Sequence, residues 1–235
     1  MHPEPHARAR HLIAPRYLAG PSTSATQHVV DTLHRAGWTT TRNRTSTLYT
    51  SPDKLRHATF HAKGARRLLG GPLIGWEFAA RGEPDKALVW TAAFTPATPP
   101  EIVADFAHAL ANDTSHDTGS TPHFLQRPSQ PEAARKPLAD AGWIRDVDDA
   151  DTAWYAPTDQ AVVVGTSRPQ PDSRNWLAAV REATSLDVLW LAVLTPTTPD
   201  SLITALCLAI TDPEPVTRTN TPAPNLGPVT ITPLH

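Results

Sequence analysis

A basic stretch in the N-terminal half contains the residues best suited to binding chemistry. Between Arg42 and Arg67, Asp53 is the single acidic residue. Antiparallel hairpins with such residues can follow a phosphate backbone, because each neutralised phosphate releases counterions. The sequence therefore predicts a nucleic-acid contact surface, with an ordinary solvated face as the alternative. The predicted contact residues are Arg42, Arg44, Lys54, Arg56, Lys63, Arg66 and Arg67.

The C-terminal half carries the opposite charge at the matching turn. An acidic hairpin there could bind the basic hairpin of another module, within one chain or between chains. A protein-interaction or assembly module is therefore the second interpretation. The net charge of −2 weighs against general DNA binding, because strong general DNA binders are usually basic overall. The acidic surface residues are Asp146, Asp148, Asp149 and Asp151.

Established catalytic motifs are absent from the sequence. It contains no GxxxxGK phosphate-binding loop, no GxSxG nucleophile turn and no HExxH zinc motif. His57 and His61 would face the same side of a strand, but no further metal ligands accompany them. An uncharacterised enzyme is thus the third interpretation. We expect no catalytic residues, no cofactor and no metal.

The cysteine and tryptophan content narrows the possibilities further. Cys207 is the single cysteine, which excludes an intrachain disulfide and a cysteine-based zinc site. It lies in an apolar run, where a small buried side chain is the simplest interpretation. Most of the seven tryptophans recur at matched positions along the chain, which favours core packing over base-stacking platforms.

An internal repeat organises the chain. PRYLAGPS at residues 15–22 returns as PHFLQRPS at 122–129, and AGW at 36–38 returns at 141–143. Three further pairs keep the same order: LYTSPD with WYAPTD, WEFAAR with WLAAVR, and LVWTAAFTPATP with VLWLAVLTPTTP. An ordered series with matched Trp, Pro and Gly residues indicates a tandem duplication.

Each copy is predicted to be α+β, with a helix, about five mostly antiparallel strands and a closing helix. Antiparallel pairing is favoured because the connections are short. In the closing helices apolar residues recur every four positions, as expected of a buried helix face. The predicted organisation is an N-terminal tail (1–14), module 1 (15–112), a linker (113–121), module 2 (122–212) and a proline-rich flexible tail (213–235).

Four local patterns give more specific expectations. Residues 188–194 are apolar at every position, which predicts a strand covered on both faces. The segments that begin at Trp76 and Trp176 fit the fourth strand of each copy, or a helix. Pro137 predicts a short or kinked opening helix in module 2. VTITPL near the C-terminus offers a strand for a sheet edge.

The sequence resembles the SPDY-domain family of streptomycete proteins. The resemblance rests on PRYLAGP at 15–21, AGW at 36–38, SPD at 51–53, and the tryptophan followed by TPATP within 90–99. Lys54 replaces the tyrosine that gives the family its name. The resemblance implies two copies of a domain of unknown function in a bacterial protein. It implies no activity.

The expected location is the cytoplasm. The first residues contain no apolar region typical of a secretion signal, and the longest apolar stretch is too short to span a bilayer. We therefore expect no membrane partner. The abundance of Ala, Pro, Thr and Arg beside scarce Lys suggests a GC-rich, actinobacterial genome.

Overall fold

The computed structural model describes residues 10–62, 66–68, 71–113, 121–148, 151–166, 174–185, 187–219 and 229–234. The chain is α+β with mostly antiparallel strands, as predicted. Its elements, in chain order, are β1 (Arg10–Ala14), α1 (Thr23–Arg35), β2 (Thr39–Arg42), β3 (Ser46–Thr50), β4 (Arg56–His61), β5 (Trp76–Arg81), β6 (Leu88–Phe94), α2 (Pro100–Ala111), α3 (Pro131–Ala134), α4 (Lys136–Asp140), β7 (Ile144–Asp148), β8 (Asp151–Tyr155), β9 (Ala161–Thr166), β10 (Trp176–Arg181), β11 (Val188–Leu194), α5 (Asp200–Thr211), β12 (Val216–Arg218) and β13 (Thr230–Leu234).

Ten strands form one antiparallel sheet in the order β2-β3-β4-β5-β6-β11-β10-β9-β8-β7. Its first five strands come from the N-terminal half of the chain and its last five from the C-terminal half. The halves meet where β6 pairs with β11. β2 and β7 are consequently the two edges of the sheet.

Hydrogen bonds at the β6–β11 junction are reciprocal. The Thr95 amide donates to the Leu191 carbonyl at 2.9 Å, and the Thr195 amide donates to the Thr91 carbonyl at 2.9 Å. The threonine hydroxyls are used equivalently, since Thr95 Oγ1 accepts from the Leu191 amide and Thr195 Oγ1 accepts from the Thr91 amide. These positions are 100 residues apart, the offset of the repeat. The junction is therefore locally symmetric.

The helices pack on one face of the sheet. Phe106 of α2 lies 5.3 Å from Phe78 and 5.2 Å from Phe94, measured between ring centroids. The apolar stripes of the closing helices are buried as predicted, and so are all seven tryptophans. The buried stripe residues are Ile102, Phe106 and Leu110 in α2, and Leu202, Leu206 and Ile210 in α5.

Two of the local predictions are confirmed. The segments at Trp76 and Trp176 are strands rather than helices. The opening helix of the second half is broken into the short helices α3 and α4 on either side of Arg135, with Pro137 in the first turn of α4. A backbone N–H group in the first turn of a helix has no acceptor within that helix, so proline, which lacks this group, is tolerated there. A new helix can therefore begin at this point.

The prediction for residues 188–194 holds for the position of the strand, because β11 is one of the two central strands of the sheet, and holds in part for its cover. Trp190, Ala192 and Leu194 point into the core, but Leu191 and Val193 are partly exposed on the other face. On that face Leu68 and Leu73 lie against Leu191 and Val193, so the second face is covered in part.

The flexible-tail prediction also needs correction for the described residues. β12 and β13 both pair with β1 in a separate three-stranded sheet. Arg218 on β12 is buried and bonds Glu101 Oε1 at 2.6 Å and the Gly20 carbonyl at 3.0 Å. The VTITPL segment is thus an edge strand, as predicted, and it pairs with β1 in the smaller sheet. None of the helices in the described residues has the length and apolarity needed to cross a membrane.

Candidate interaction surfaces

Arg56, a predicted nucleic-acid contact, is a core residue. Its guanidinium lies 4.8 Å above the Phe124 ring and donates to the Leu110 carbonyl at 2.8 Å and the Asp113 carbonyl at 3.2 Å. The Leu110 carbonyl lies in the last turn of α2 and Asp113 follows the helix, so the cation complements the negative end of the helix dipole. Arg56 therefore closes α2 and is not available to a phosphate.

A turn at Ser51–Asp53 holds Arg56 in place. The Ser51 hydroxyl bonds the Asp53 carboxylate and accepts from the Arg56 amide at 3.0 Å, while Arg56 Nη2 donates to Asp53 Oδ2 at 2.9 Å. Burial opposes ionisation of Asp53, but hydrogen bonds from Ser51 and the Leu55 amide, together with the Arg56 charge, outweigh it and lower the Asp53 pKa. The turn is a structural clamp.

The other predicted basic contacts do not lie side by side. Arg42 and Arg44 are exposed at one end of the β2–β3 hairpin, and Lys54 is exposed in the turn at the far end of β3. Arg66 pairs with Glu77 at 3.0 Å, and Arg67 donates to the Gly71 carbonyl at 3.0 Å. Lys63 lies outside the described residues.

These basic residues also project from opposite faces of the sheet. Arg42 pairs with Thr47, two residues from buried Tyr49, so both point to the helix side. Glu77, the partner of Arg66, lies between Trp76 and Phe78 and so points to the opposite side. The predicted continuous basic surface is therefore divided.

The acidic residues lie at the far edge of the sheet from β2. Asp146 and Asp148 are exposed on edge strand β7, and Asp151 on β8 pairs with Arg174 at 3.2 Å. Asp149 is outside the described residues. Because β2 and β7 form opposite edges, the basic and acidic hairpins of one chain cannot pair with each other. The predicted pairing of a basic hairpin with an acidic hairpin is therefore possible only between two chains.

The face of the sheet opposite the helices, here called the open face, differs between the two halves. In the second half this face presents a group of apolar side chains, here called the apolar floor. Ile144 is 64% exposed, and the other members of the floor are half-buried. The equivalent positions in the first half carry mostly polar residues. The floor residues are Ile144, Tyr155, Val162, Val164, Leu177 and Ala179, and their counterparts are Thr39, Thr50, His57, Thr59, Glu77 and Ala79.

A short segment rises beside this floor. Residues 66–68 and 71–74 fold over the open face, joined by an antiparallel bridge between Arg67 and Leu73. A small apolar cavity of about 10 Å³ lies beneath them, lined by Leu68 and Leu73 together with Leu191 and Val193 of β11. We call this segment the basic wall, because it carries Arg66 and Arg67, and we call Asp146 and Asp148 the acidic rim.

Histidines of the open face form no recognisable metal site. His61 Nε2 lies 3.3 Å from Glu77 Oε2, which also bonds Arg66. Burial, and then the charge of Arg81, lower the pKa of His57 and favour its neutral form. Across the described parts of the chain, no three His, Cys, Asp or Glu side chains are grouped as metal ligands would be.

Comparison with known families identifies the chain. The SPDY family, described as a domain of unknown function (DUF317), matches residues 50–116 and 156–216, which together are more than half of the sequence. The chain belongs to the SPDY family. No curated protein and no solved structure matches it.

Both SPDY matches begin at equivalent turns with different chemistry. Lys54 in the first and Asp159 in the second adopt positive φ, 61° and 58°, and each amide bonds the carbonyl three residues earlier. The second SPDY region has Ala156 where the first has Ser51, and Asp159 there pairs with Arg181 at 2.9 Å. The backbone turn is thus shared, whereas the Arg56 clamp is found in the first region.

Sequence reasoning missed an exchange between the two SPDY halves. Trp90 of the first half donates to the Phe124 carbonyl of the second at 2.7 Å, and Trp190 of the second donates to the Tyr17 carbonyl of the first at 2.8 Å. Tyr17 and Phe124 occupy the repeated PRYL and PHFL motifs. The repetition marked these motifs as important, but it gave no sign that each packs on the other half.

Proposed function

We propose that this SPDY protein is a non-enzymatic protein-interaction module. In this proposal two copies of a helix–strand–helix module, residues 15–112 and 122–212, build one sheet whose open face binds protein. The observation that carries the proposal is the apolar floor of the second half. A cytoplasmic location in an actinobacterium, expected from the sequence, belongs to the same proposal.

The contrast between the halves supports a binding role for the floor. In a strand with one face in solvent, the residues on that face are normally polar. The first half follows this pattern with His57, Thr59 and Glu77. The second half has Val162, Val164 and Leu177 at the same places. The largest contiguous apolar patch on a monomer's surface often has a functional role, even at a few hundred Å².

The placement of reactive groups favours binding over catalysis. Arg56, Arg135 and Arg218 are buried in structural contacts with helix carbonyls, aromatic rings or carboxylates. Burial raises the pKa of the Cys207 thiol to about 12, although Arg135 opposes the shift. A thiol of this kind is a poor nucleophile at neutral pH.

Site-specific photocrosslinking tests the proposal. Val164 is replaced by p-benzoylphenylalanine, and the control carries the same group at Thr59, the equivalent open-face position of the first half. We expect protein adducts from position 164, identified by mass spectrometry and lost when Leu177→Glu is added. Equal labelling from the two positions, or none from either, would reject the floor as a protein-binding surface.

Nucleic-acid contact through Arg42 and Arg44 is the second candidate. Both side chains are exposed at the tip of an edge hairpin, and within the described chain neither has an acidic ion-pair partner. Two arginines predict weak, salt-sensitive binding. Gel shifts at low salt should then show DNA binding that Arg42→Glu with Arg44→Glu abolishes and Arg127→Glu does not. Absence of binding by the wild-type protein at low salt would eliminate this candidate.

A further inference from the structure

We infer that the apolar floor binds the floor of a second copy of this chain, with the acidic rim of each copy against the basic wall of the other. The inference rests on the proposed function and names the partner. It unites the acidic and basic residues that the sheet places too far apart to meet within one chain.

The open face has a fixed lateral order. The acidic rim lies on edge strand β7, the floor extends from β7 to β10, and the basic wall stands over β6 and β11. Four strand spacings separate β7 from β11, which is about 19 Å. A negative border, an apolar centre and a border that carries Arg67 and the Glu77-paired Arg66 therefore follow one another across the surface.

This order is self-complementary under a two-fold rotation. A two-fold axis parallel to the strands, placed over the centre of the floor, lays one floor on the other and reverses the lateral order. The rim of each copy then meets the wall of its partner. Isologous contacts of this kind are the commonest way in which identical chains associate, and sheets pack face to face at about 10 Å.

The extent of the floor sets the expected strength of the contact. Five-residue strands across about 19 Å give a planar footprint of roughly 300 Å², against about 800 Å² per partner in a typical stable interface. Contacts between rim and wall must supply much of the remainder. We therefore expect a reversible dimer that weakens with dilution and with added salt, because rim–wall ion pairs are screened.

Floor variants copied from the first half provide the first test. Val164→Thr and Leu177→Glu introduce the residues found at Thr59 and Glu77, which this fold already accommodates at equivalent positions. Sedimentation equilibrium of the full chain should show a dissociation constant raised at least about tenfold, as expected for loss of one buried leucine contact. A cooperative thermal transition verifies that the variant remains folded.

Charge reversal provides the second test. A wall variant with Arg66→Asp and Arg67→Asp, and a rim variant with Asp146→Arg and Asp148→Arg, should each fail to dimerise alone. An equimolar mixture should form a heterodimer, because the acidic wall of one variant meets the basic rim of the other at one contact, and the unmutated rim and wall meet at the second. Recovery of dimer formation on mixing also shows that both variants are folded. The control, Arg42→Asp with Arg44→Asp on the opposite edge, should dimerise like the wild type.

The results separate this inference from the proposed function. A wild-type chain that is monomeric at every concentration would overturn the second copy as occupant, and so would floor variants that dimerise normally. Failure of the mixture to form a heterodimer would overturn the rim–wall arrangement. If the chain is monomeric but position 164 still crosslinks another protein, the protein-binding function stands and only its self-association fails.

Discussion

Arg56 shows at the residue scale how a charged side chain with a predicted binding role can belong to the core. Its guanidinium is enclosed by Phe124, the end of α2 and Asp53. The sequence identified Arg56 as one of a basic set but could not separate it from Arg42 or Arg44. Burial of that one position depends on residues 54 or more positions away, such as Leu110 and Phe124.

Removing the Arg56 clamp should destabilise the chain. We expect Arg56→Met to lower the free energy of unfolding by about 2–3 kcal/mol, because charge-assisted hydrogen bonds to buried carbonyls are lost. Arg44→Met, at an exposed position, should change it by less than about 0.5 kcal/mol. Urea denaturation measures both, and equal effects would contradict the clamp.

The lowered pKa of Asp53 predicts a specific pH dependence. A carboxylate whose pKa is depressed by folding stabilises the native state above its unfolded pKa of about 3.9, and that contribution is lost as pH falls through the folded value. Wild type should therefore exceed Asp53→Asn in stability at neutral pH, and the gap should close on acidification. A gap that is constant or widens at low pH would contradict this assignment.

Cys207 should be inert in the folded chain. Its side chain is fully buried, and its pKa of about 12 leaves almost no thiolate at pH 8. A thiol-specific colorimetric reagent should label it only after denaturation. Stoichiometric labelling of the native protein would show that the helix around it opens readily.

At the element scale, the tryptophans of β5 and β10 are accommodated differently in the two halves. Trp76 packs against Phe60 at 5.1 Å between ring centroids. Trp176 instead lies over Gly165, at the position equivalent to Phe60, with the Arg135 guanidinium 5.1 Å from its ring. The glycine makes room for the indole ring.

A methyl group at Gly165 should not be tolerated well. An added Cβ would lie 2.2 Å from Trp176 Cε3, whereas at Gly82 it would meet nothing within 4 Å. We expect Gly165→Ala to reduce stability by about 1–3 kcal/mol through overpacking. Gly82→Ala is the matched control in calorimetry, and similar melting temperatures for the two variants would contradict the close contact.

Elements of secondary structure could largely be predicted from local patterns. Four-residue periodicity identified α2 and α5, Pro137 explained the broken opening helix, and turn residues separated the strands of each half. The pairing of β12 and β13 with β1 was missed, because proline-rich composition indicates disorder when no partner is known. Their partner, β1, lies about 200 residues away, within the predicted N-terminal tail.

The whole-molecule arrangement could not be predicted, because it depends on the pairing of β6 with β11. Two repeated modules are compatible with separate sheets or with one continuous sheet, and local sequence is the same in either case. The open face follows from that pairing, since all ten strands then share one helix-covered side. The difference between Glu77 and Leu177 was visible in the sequence, but its meaning required the face to be known.

Cysteine trapping tests the central claim, the contact between rim and wall of two copies, most directly. An Asp148→Cys chain is mixed with an Arg67→Cys chain under mild oxidation, with an Arg44→Cys chain replacing the latter as control. The account predicts a disulfide-linked heterodimer from positions 148 and 67 and little product from positions 148 and 44. Equal yields from the two mixtures, or no linked product from positions 148 and 67, would contradict it.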